Sequence, residues 1–332
     1  MQNISDMNGS NAETGLQTCL VTGGSGFIGS HLCNRLLREG YKVFCLDNFL
    51  TGSKDNIKEL LDNPNFEFIE GDVCDFDFLR SLSQLSDLNY VFHLASPASP
   101  IDYQNYPEET LIANSMGTLN ILKLVNNTKA KILIASTSEI YGDPLEHPQK
   151  ETYFGNVNTF GPRSCYDESK RFAETATYVY MRKYDIDARV IRIFNTYGPK
   201  MKKDDGRVVS NFVVAALTHN PIEVDGDGSQ TRSFCYVDDL VDGILKAMFT
   251  QGTKGEIFNL GNPSEFTIKE LAELVKSLTK SDSEVFYRGG FRENDPMRRQ
   301  PDITKAKTFL NWEPKITLKE GLQKTIEYYK NN

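Results

Sequence analysis

The chain is predicted to form a doubly wound α/β sheet of parallel strands, on three observations. Short apolar runs alternate with amphipathic helical stretches through its first half. A glycine-rich turn joins the first run to the first helix, and the second run ends on an acidic residue, Asp47. Such alternation needs right-handed crossovers, and these give a parallel sheet covered by helices on both faces.

Taken in order, residues 18–22 form the first strand and 27–38 an amphipathic helix. Strands follow over 41–46, 66–69 and 90–95. A long helix is expected over 108–125, then a strand over 131–135, a helix over 165–183 and a strand over 188–194. Beyond Asn195 the texture changes. Turn signals such as Asp225-Gly226-Asp227-Gly228 and clustered arginines predict a smaller lobe. A helix from about Asp238 and a strand over 257–260 are expected to return to the sheet. The chain therefore divides into a tail at 1–15, rich in Asn, Ser and Gly and expected to be disordered. A main domain covers 16–196, with 238–262 returning to it, and a smaller, interleaved C-terminal lobe is built from 197–237 and 263–330.

Bulk properties narrow the classes of function. The 332 residues are 39% hydrophobic and 25% charged, ordinary for a globular protein, with core to spare. A net charge of −8 argues against a nucleic-acid binder, which needs a basic excess to neutralise phosphates. An anionic small molecule stays open, because local arginines decide that. The six cysteines are scattered without a Cys-x-x-Cys pair, so no metal site is expected. Cys19, Cys33 and Cys45 read as small buried hydrophobes in a reducing compartment. No apolar run reaches the ~18 residues of a membrane span and no signal peptide is visible, so a cytoplasmic location is expected.

Gly23, Gly26 and Gly29 form Gly-x-x-Gly-x-x-Gly between strand and helix. Glycines at this spacing allow positive φ, a close backbone approach to a pyrophosphate and tight helix–strand packing. The phosphates then sit on free N–H groups at the helix N-terminus. Asp47, 18 residues after Gly29, would accept hydrogen bonds from an adenosine ribose and repel a 2′-phosphate. The pattern is that of a Rossmann domain binding NAD in preference to NADP. Asp72, at the end of the next strand, would hold the adenine amino group, or else cap its own strand end.

Tyr166 and Lys170 stand at i and i+4 of one helix, so they share a face. The lysine charge can lower the phenol pKa and grip a ribose, leaving a phenolate that accepts a hydroxyl proton. Thr137, ending a strand in Ser136-Thr137-Ser138-Glu139, supplies a hydroxyl to the same substrate oxygen. Arg207, Arg232 and Arg299, with the Asn195 amide, are candidates to gather a diphosphate and a carboxylate. Arg207 opens a helix at Val208, an anion-binding terminus, and Tyr103 and Tyr236 are expected to contact sugar or phosphates.

On these residues the chain resembles the extended short-chain dehydrogenase/reductase family, and within it the UDP-glucuronate decarboxylases, from Val21 to Trp312. The stretches that carry the resemblance are His93-Leu94-Ala95-Ser96-Pro97-Ala98-Ser99-Pro100 and Ser136-Thr137-Ser138-Glu139-Ile140-Tyr141-Gly142-Asp143-Pro144, with Arg163-Ser164-Cys165-Tyr166-Asp167-Glu168. Asp205-Gly206-Arg207-Val208-Val209-Ser210-Asn211-Phe212, Gln230-Thr231-Arg232-Ser233-Phe234 and Arg299-Gln300-Pro301-Asp302 complete it. Ser96 is a small departure, standing where those enzymes often carry Cys. The resemblance implies NAD as cofactor, UDP-glucuronate as substrate and UDP-xylose as product, reached through a 4-keto intermediate with NADH recycled internally. It adds Phe27, Ile28, Asn48, Val73, Leu94 and Ala95 to the cofactor contacts, and Pro97, Ser138 and Val208 to those of the substrate. It assigns Glu139 and Arg299 to decarboxylation and reprotonation. It also implies a homodimer paired through the helices at 108–125 and 165–183.

Four other readings remain. Ser138 replaces the Asp with which a related dehydratase expels the C6 hydroxyl, and an epimerase usually lacks Glu139, so these features disfavour both. A decarboxylase that releases the 4-keto pentose is a further variant. A redox-sensing NAD-binding module tends to lose the tyrosine or the lysine, and both are present.

Overall fold

The computed structural model describes residues 15–290 and 298–332. Apart from Gly15, the tail expected to be disordered lies outside them. Six strands of the main sheet are β1 (Thr18–Thr22), β2 (Lys42–Asp47), β3 (Phe66–Glu70), β4 (Tyr90–His93), β5 (Lys131–Thr137) and β6 (Ala188–Ile193). With the strand Ile257–Leu260 they make a seven-stranded parallel sheet, ordered Ile257–Leu260, β6, β5, β4, β1, β2, β3. This is the doubly wound α/β architecture. Its strand order reverses between β1 and β4, where a crevice opens at the carboxyl ends of the strands.

The strands are apolar on both faces because both faces are covered. Along β1 and β2, Cys19, Val21, Val43 and Cys45 pack into one core cluster, while Leu20, Phe44 and Leu46 point the other way into a second. The three cysteines read as small hydrophobes sit in the first cluster as free, buried thiols.

The continuous helix expected over 108–125 is broken into Pro107–Ile112, a π-helical turn at Ala113–Gly117, and Thr118–Thr128. The π turn brings Gly117 against Val73, where a Cβ would stand 2.7 Å from the valine side chain. It also lets Asn114 donate to the Ser169 hydroxyl at 3.1 Å and Asn120 to the Val73 carbonyl at 3.1 Å. These polar ties to neighbouring elements override the regular helical repeat, as π turns near functional clefts often do.

Past β6 the chain builds a smaller unit from short strands. Thr231–Ser233 pairs antiparallel with Glu265–Thr267 and parallel with Arg298–Arg299, while Ile222–Asp225 pairs with Val285–Arg288. Helices Val208–Leu217, Ile268–Thr279 and Leu318–Asn331 cover them. The helix Val237–Phe249 and the strand Ile257–Leu260 lie back on the main sheet, the strand beside β6. Among the described residues no helix is long and apolar enough to cross a membrane, and no group of three or more His, Cys, Asp or Glu is placed to hold a metal ion.

Candidate active site

A cleft of about 680 Å³ lies over the carboxyl ends of the strands, between the sheet and the smaller unit. Its floor at the reversal point is fixed by β1 and β4. The Thr22 hydroxyl bonds His93 Nδ1 at 2.7 Å and His93 Nε2 bonds Thr118 at 3.2 Å. Burial, reinforced by the nearby Lys170 charge, pushes the imidazole down to about 3, so it is a neutral strut.

The glycine turn is tight for reasons of contact. Gly23 has φ +70, and a Cβ there would lie 2.8 Å from the Ala95 backbone. A Cβ on Gly29 would stand 2.1 Å from the Gly23 carbonyl, whereas Gly26 would meet it at 3.2 Å. The helix that follows, α1 (Phe27–Arg38), has no side-chain cap at its N-terminus. Its first N–H groups therefore face the cleft as an anion cradle. Asp47 ends β2, and its carboxylate accepts from Ser25 N at 3.0 Å and from Phe49 N at 2.9 Å. Asp72 accepts from Asn48 Nδ2 at 3.2 Å and caps Cys74 N at 2.8 Å, so its strand-end role and its place on the cleft wall coexist. Phe27, Ile28, Asn48, Val73, Leu94 and Ala95 line the same part of the cleft. A turn that admits no Cβ at Gly23 or Gly29, a free helix terminus and an acidic strand end fit an adenine dinucleotide.

At the far end, the helix Ser164–Tyr184 presents Tyr166 and Lys170, both buried, to the C-terminus of β5. Lys170 Nζ donates to the Ala135 carbonyl at 2.9 Å, and burial lowers its pKa to about 7. The Thr137 hydroxyl favours the ionised form of the Tyr166 phenol. The phenol departs from the expected phenolate. Burial raises it to about 12, and the relief from Thr137 and Arg207 does not offset that. Lys170 points one donor at the Ala135 carbonyl and sits 5.8 Å from the ring centroid, so the protein alone keeps Tyr166 protonated.

Glu139 lies in the turn after β5, with its side chain 15% exposed, between two guanidinium groups. Arg163 Nη2 contacts one carboxylate oxygen and Arg299 Nη1 the other. Burial alone would raise its pKa, but Arg163, Arg299 and Arg232 outweigh that and hold Glu139 ionised. Arg299 also donates to the Gly142 carbonyl at 2.8 Å. Its Nε is buried without a hydrogen-bond partner among the described residues.

The remaining substrate candidates are placed as follows. Pro97, Ser138, Asn195, Arg207, Val208 and Arg232 line the cleft. Arg207 donates to the Ala98 carbonyl at 2.8 Å at the start of the helix Val208–Leu217. Tyr103 also lines it, but its ring stacks on that of Tyr166, centroids 5.1 Å apart and 9° from parallel. Tyr103 therefore props the tyrosine from the cleft wall. Tyr236 is a correction, since it lies outside the cleft. Its ring is buried against Tyr197, with Gly321 beneath it and Lys324 over it, which leaves no path to a sugar.

Two residues were missed from the sequence. Arg163 precedes Tyr166 by one helical turn, and its i−3 spacing, read together with Glu139, was the available signal. Asp167 is buried beside it, 4.0 Å from Arg163 Nε; burial and then repulsion from Glu139 raise it to about 7.

Residues 20–325 match the family model described as GDP-mannose 4,6 dehydratase. The chain is 50% identical over 312 residues to UDP-glucuronic acid decarboxylase 1 of Arabidopsis thaliana, covering 94% of this chain and 69% of that one. It is 49% identical over 310 residues to UDP-glucuronic acid decarboxylase 1 of Danio rerio, covering 93% and 72%. Among solved structures, UDP-glucuronic acid 4-epimerase of Bacillus cereus, in complex with UDP-glucuronic acid and NAD, superposes with a TM-score of 0.85 at 29% identity, covering 95% of this chain and 99% of that one. A nucleotide-binding turn, a Tyr–Lys pair beside a strand-end threonine and these matches over nearly the whole length have one conclusion: the chain belongs to the extended short-chain dehydrogenase/reductase family, with the UDP-glucuronic acid decarboxylases among its relatives.

Proposed function

We propose that the protein is an NAD-dependent UDP-glucuronate decarboxylase that forms UDP-xylose. The observation that carries this reading is Glu139 held ionised between Arg163 and Arg299, beside Tyr166 and Thr137. Ser138, buried next to it, offers no acid to expel a C6 hydroxyl, so the site is poor for dehydration.

NAD, when bound, supplies the hydride acceptor at C4 of the sugar and later the hydride donor. Residues 16–196 with 238–262 form the domain that holds it, with Asp47 on the adenosine ribose and Lys170 on the nicotinamide ribose. Residues 197–237 and 263–330 supply the nucleotide-sugar lobe, where Arg207, Arg232 and Asn195 draw in the anionic substrate.

Tyr166 accepts the C4 hydroxyl proton with Thr137 bonded to the same oxygen. Its pKa must fall from about 12 for this, so positive charge brought by the bound cofactor is part of the reading. Once C4 is a ketone, the C6 carboxylate belongs to a β-keto acid. The C5–C6 bond breaks, carbon dioxide leaves, and the electron pair moves to the C4 oxygen, where Tyr166 and Thr137 stabilise the enolate. A solvent-derived proton then adds at C5 on the Glu139–Arg299 side, and return of the hydride to C4 with a proton to its oxygen completes UDP-xylose.

Purified protein given UDP-glucuronate and catalytic NAD should release carbon dioxide, with no lasting build-up of NADH. No carbon dioxide under these conditions overturns the reading.

Cofactor affinity gives a sharper test of the turn. Gly29→Ala should weaken NAD binding ~10- to 100-fold, since overpacking of about 1–3 kcal/mol falls on the backbone itself. Gly26→Ala, whose Cβ would meet Gly23 O at 3.2 Å, should cost far less. Equal losses by titration calorimetry would contradict this account of the turn.

The same reading takes the protein as a homodimer. Leu111 and Met116, with Tyr178 and Val179 on the helix Ser164–Tyr184, are exposed apolar residues in the two segments expected to pair. Light scattering after size exclusion should give twice the chain mass, and Tyr178→Glu should halve it. A wild-type monomer would contradict the pairing.

A further inference from the structure

We propose that Asn259, on the strand Ile257–Leu260, is a positioning residue that sets Glu139 and Arg299 in register with each other; this rests on the decarboxylase reading above. Glu139 and Arg299 come from segments 160 residues apart in sequence, Glu139 on the 3-10 turn Ser138–Tyr141 and Arg299 at the end of the short strand Arg298–Arg299. The strand pairing of Arg299 with Arg232 leaves open what fixes its segment against the turn that bears Glu139.

Asn259 is fully buried and touches both. Its Oδ1 accepts from the Tyr141 hydroxyl at 2.8 Å, and Tyr141 is two residues beyond Glu139 in the same turn. Its Nδ2 donates to the Gln149 carbonyl at 3.0 Å and to the Asp302 carbonyl at 3.3 Å, three residues beyond Arg299. Gln149 is itself locked to the Arg299 segment. Gln149 N donates to Gln300 O at 2.9 Å, Asp302 N to Gln149 O at 2.8 Å, and Gln300 N to Gln149 Oε1 at 2.9 Å. The Asn259 amide thus uses its acceptor on the turn that bears Glu139 and its donor on the segment that bears Arg299. An amide is needed because the turn offers a hydroxyl donor and the segment offers carbonyl acceptors. Arg192 Nη1 donates to the Tyr141 hydroxyl at 2.9 Å, which leaves the phenol proton directed at Asn259.

Oxidation at C4 uses Tyr166, Thr137 and Lys170, none of which touches Asn259, while decarboxylation uses the pair that it aligns. A positioning role therefore separates the two steps, and a merely structural role would slow them together. The test is rapid mixing of the NAD-loaded protein with UDP-glucuronate, following the reduced-cofactor absorbance and the carbon dioxide released. Two near-isosteric variants are compared. Asn259→Asp keeps the acceptor and loses the donor, and Tyr141→Phe keeps the ring and loses the hydroxyl. Each should form reduced cofactor within about twofold of the wild-type rate while decarboxylation slows by about tenfold or more, as misplacement by a fraction of an ångström does. Reduced cofactor should then accumulate. A wild-type protein that releases no carbon dioxide would sink the decarboxylase reading. Wild-type turnover with variants that slow both steps equally, slow neither, or lose their fold would sink the role of Asn259 alone.

Discussion

Tyr166→Phe should lower turnover of UDP-glucuronate by about 10²–10⁴-fold, the usual worth of a general acid–base group, with NAD affinity almost unchanged. The substitution removes one hydroxyl from a ring that stays stacked on Tyr103 at 5.1 Å. Lys170 remains tied to the Ala135 carbonyl and available to a ribose. The variant should therefore bind both ligands, yet show no reduced cofactor even in a single turnover. Stopped-flow absorbance with a parallel NAD titration checks this. Reduced cofactor formed at close to the wild-type rate would remove Tyr166 from the mechanism.

Glu139→Gln should have the opposite signature. It leaves the oxidising group intact and removes the charge that Arg163 and Arg299 share. Decarboxylation should slow by about 10²–10³-fold, the range for losing a preorganised electrostatic partner, while C4 oxidation proceeds. The absorbance of reduced cofactor should rise and persist with substrate present. Removing one member of a buried ion pair also costs about 3–5 kcal/mol where the partners stay buried, so a lower melting temperature is expected as well. The diagnostic result is the ratio of the two steps, which a general loss of stability does not change. A Glu139→Gln protein that releases carbon dioxide at the wild-type rate would exclude the carboxylate from this step.

The parts of the protein legible in its sequence are those encoded by local spacing. The Gly23–Gly29 turn, the acidic end of β2 and the i, i+4 pair of Tyr166 and Lys170 each lie within one element or one connection. Their geometry follows from helical and strand periodicity alone. The strand Ile257–Leu260 was legible as a return to the sheet because it is a short apolar run.

What was not legible depends on contacts between distant segments. The π turn at Ala113–Gly117 arises from hydrogen bonds to Ser169 and Val73, which no local pattern announces. Tyr236 was misplaced for a related reason: a tyrosine near clustered arginines reads like a ligand contact, but Gly321 on the last helix makes room to bury it. Arg163 was in view and went unread, because its partner Glu139 is 24 residues earlier in sequence. The protonation of Tyr166 is a matter of desolvation, and the amount of solvent around a side chain cannot be counted from spacing.

The most direct test of the central claim is proton NMR of the protein with UDP-glucuronate and catalytic NAD in deuterated water. The account predicts UDP-xylose carrying deuterium at C5, with no accumulated NADH, since the C5–C6 bond is replaced by a bond to a solvent-derived proton while the C4 hydride returns. Unchanged UDP-glucuronate, or a UDP-sugar epimerised at C4 that retains its carboxylate and its C5 proton, would contradict it.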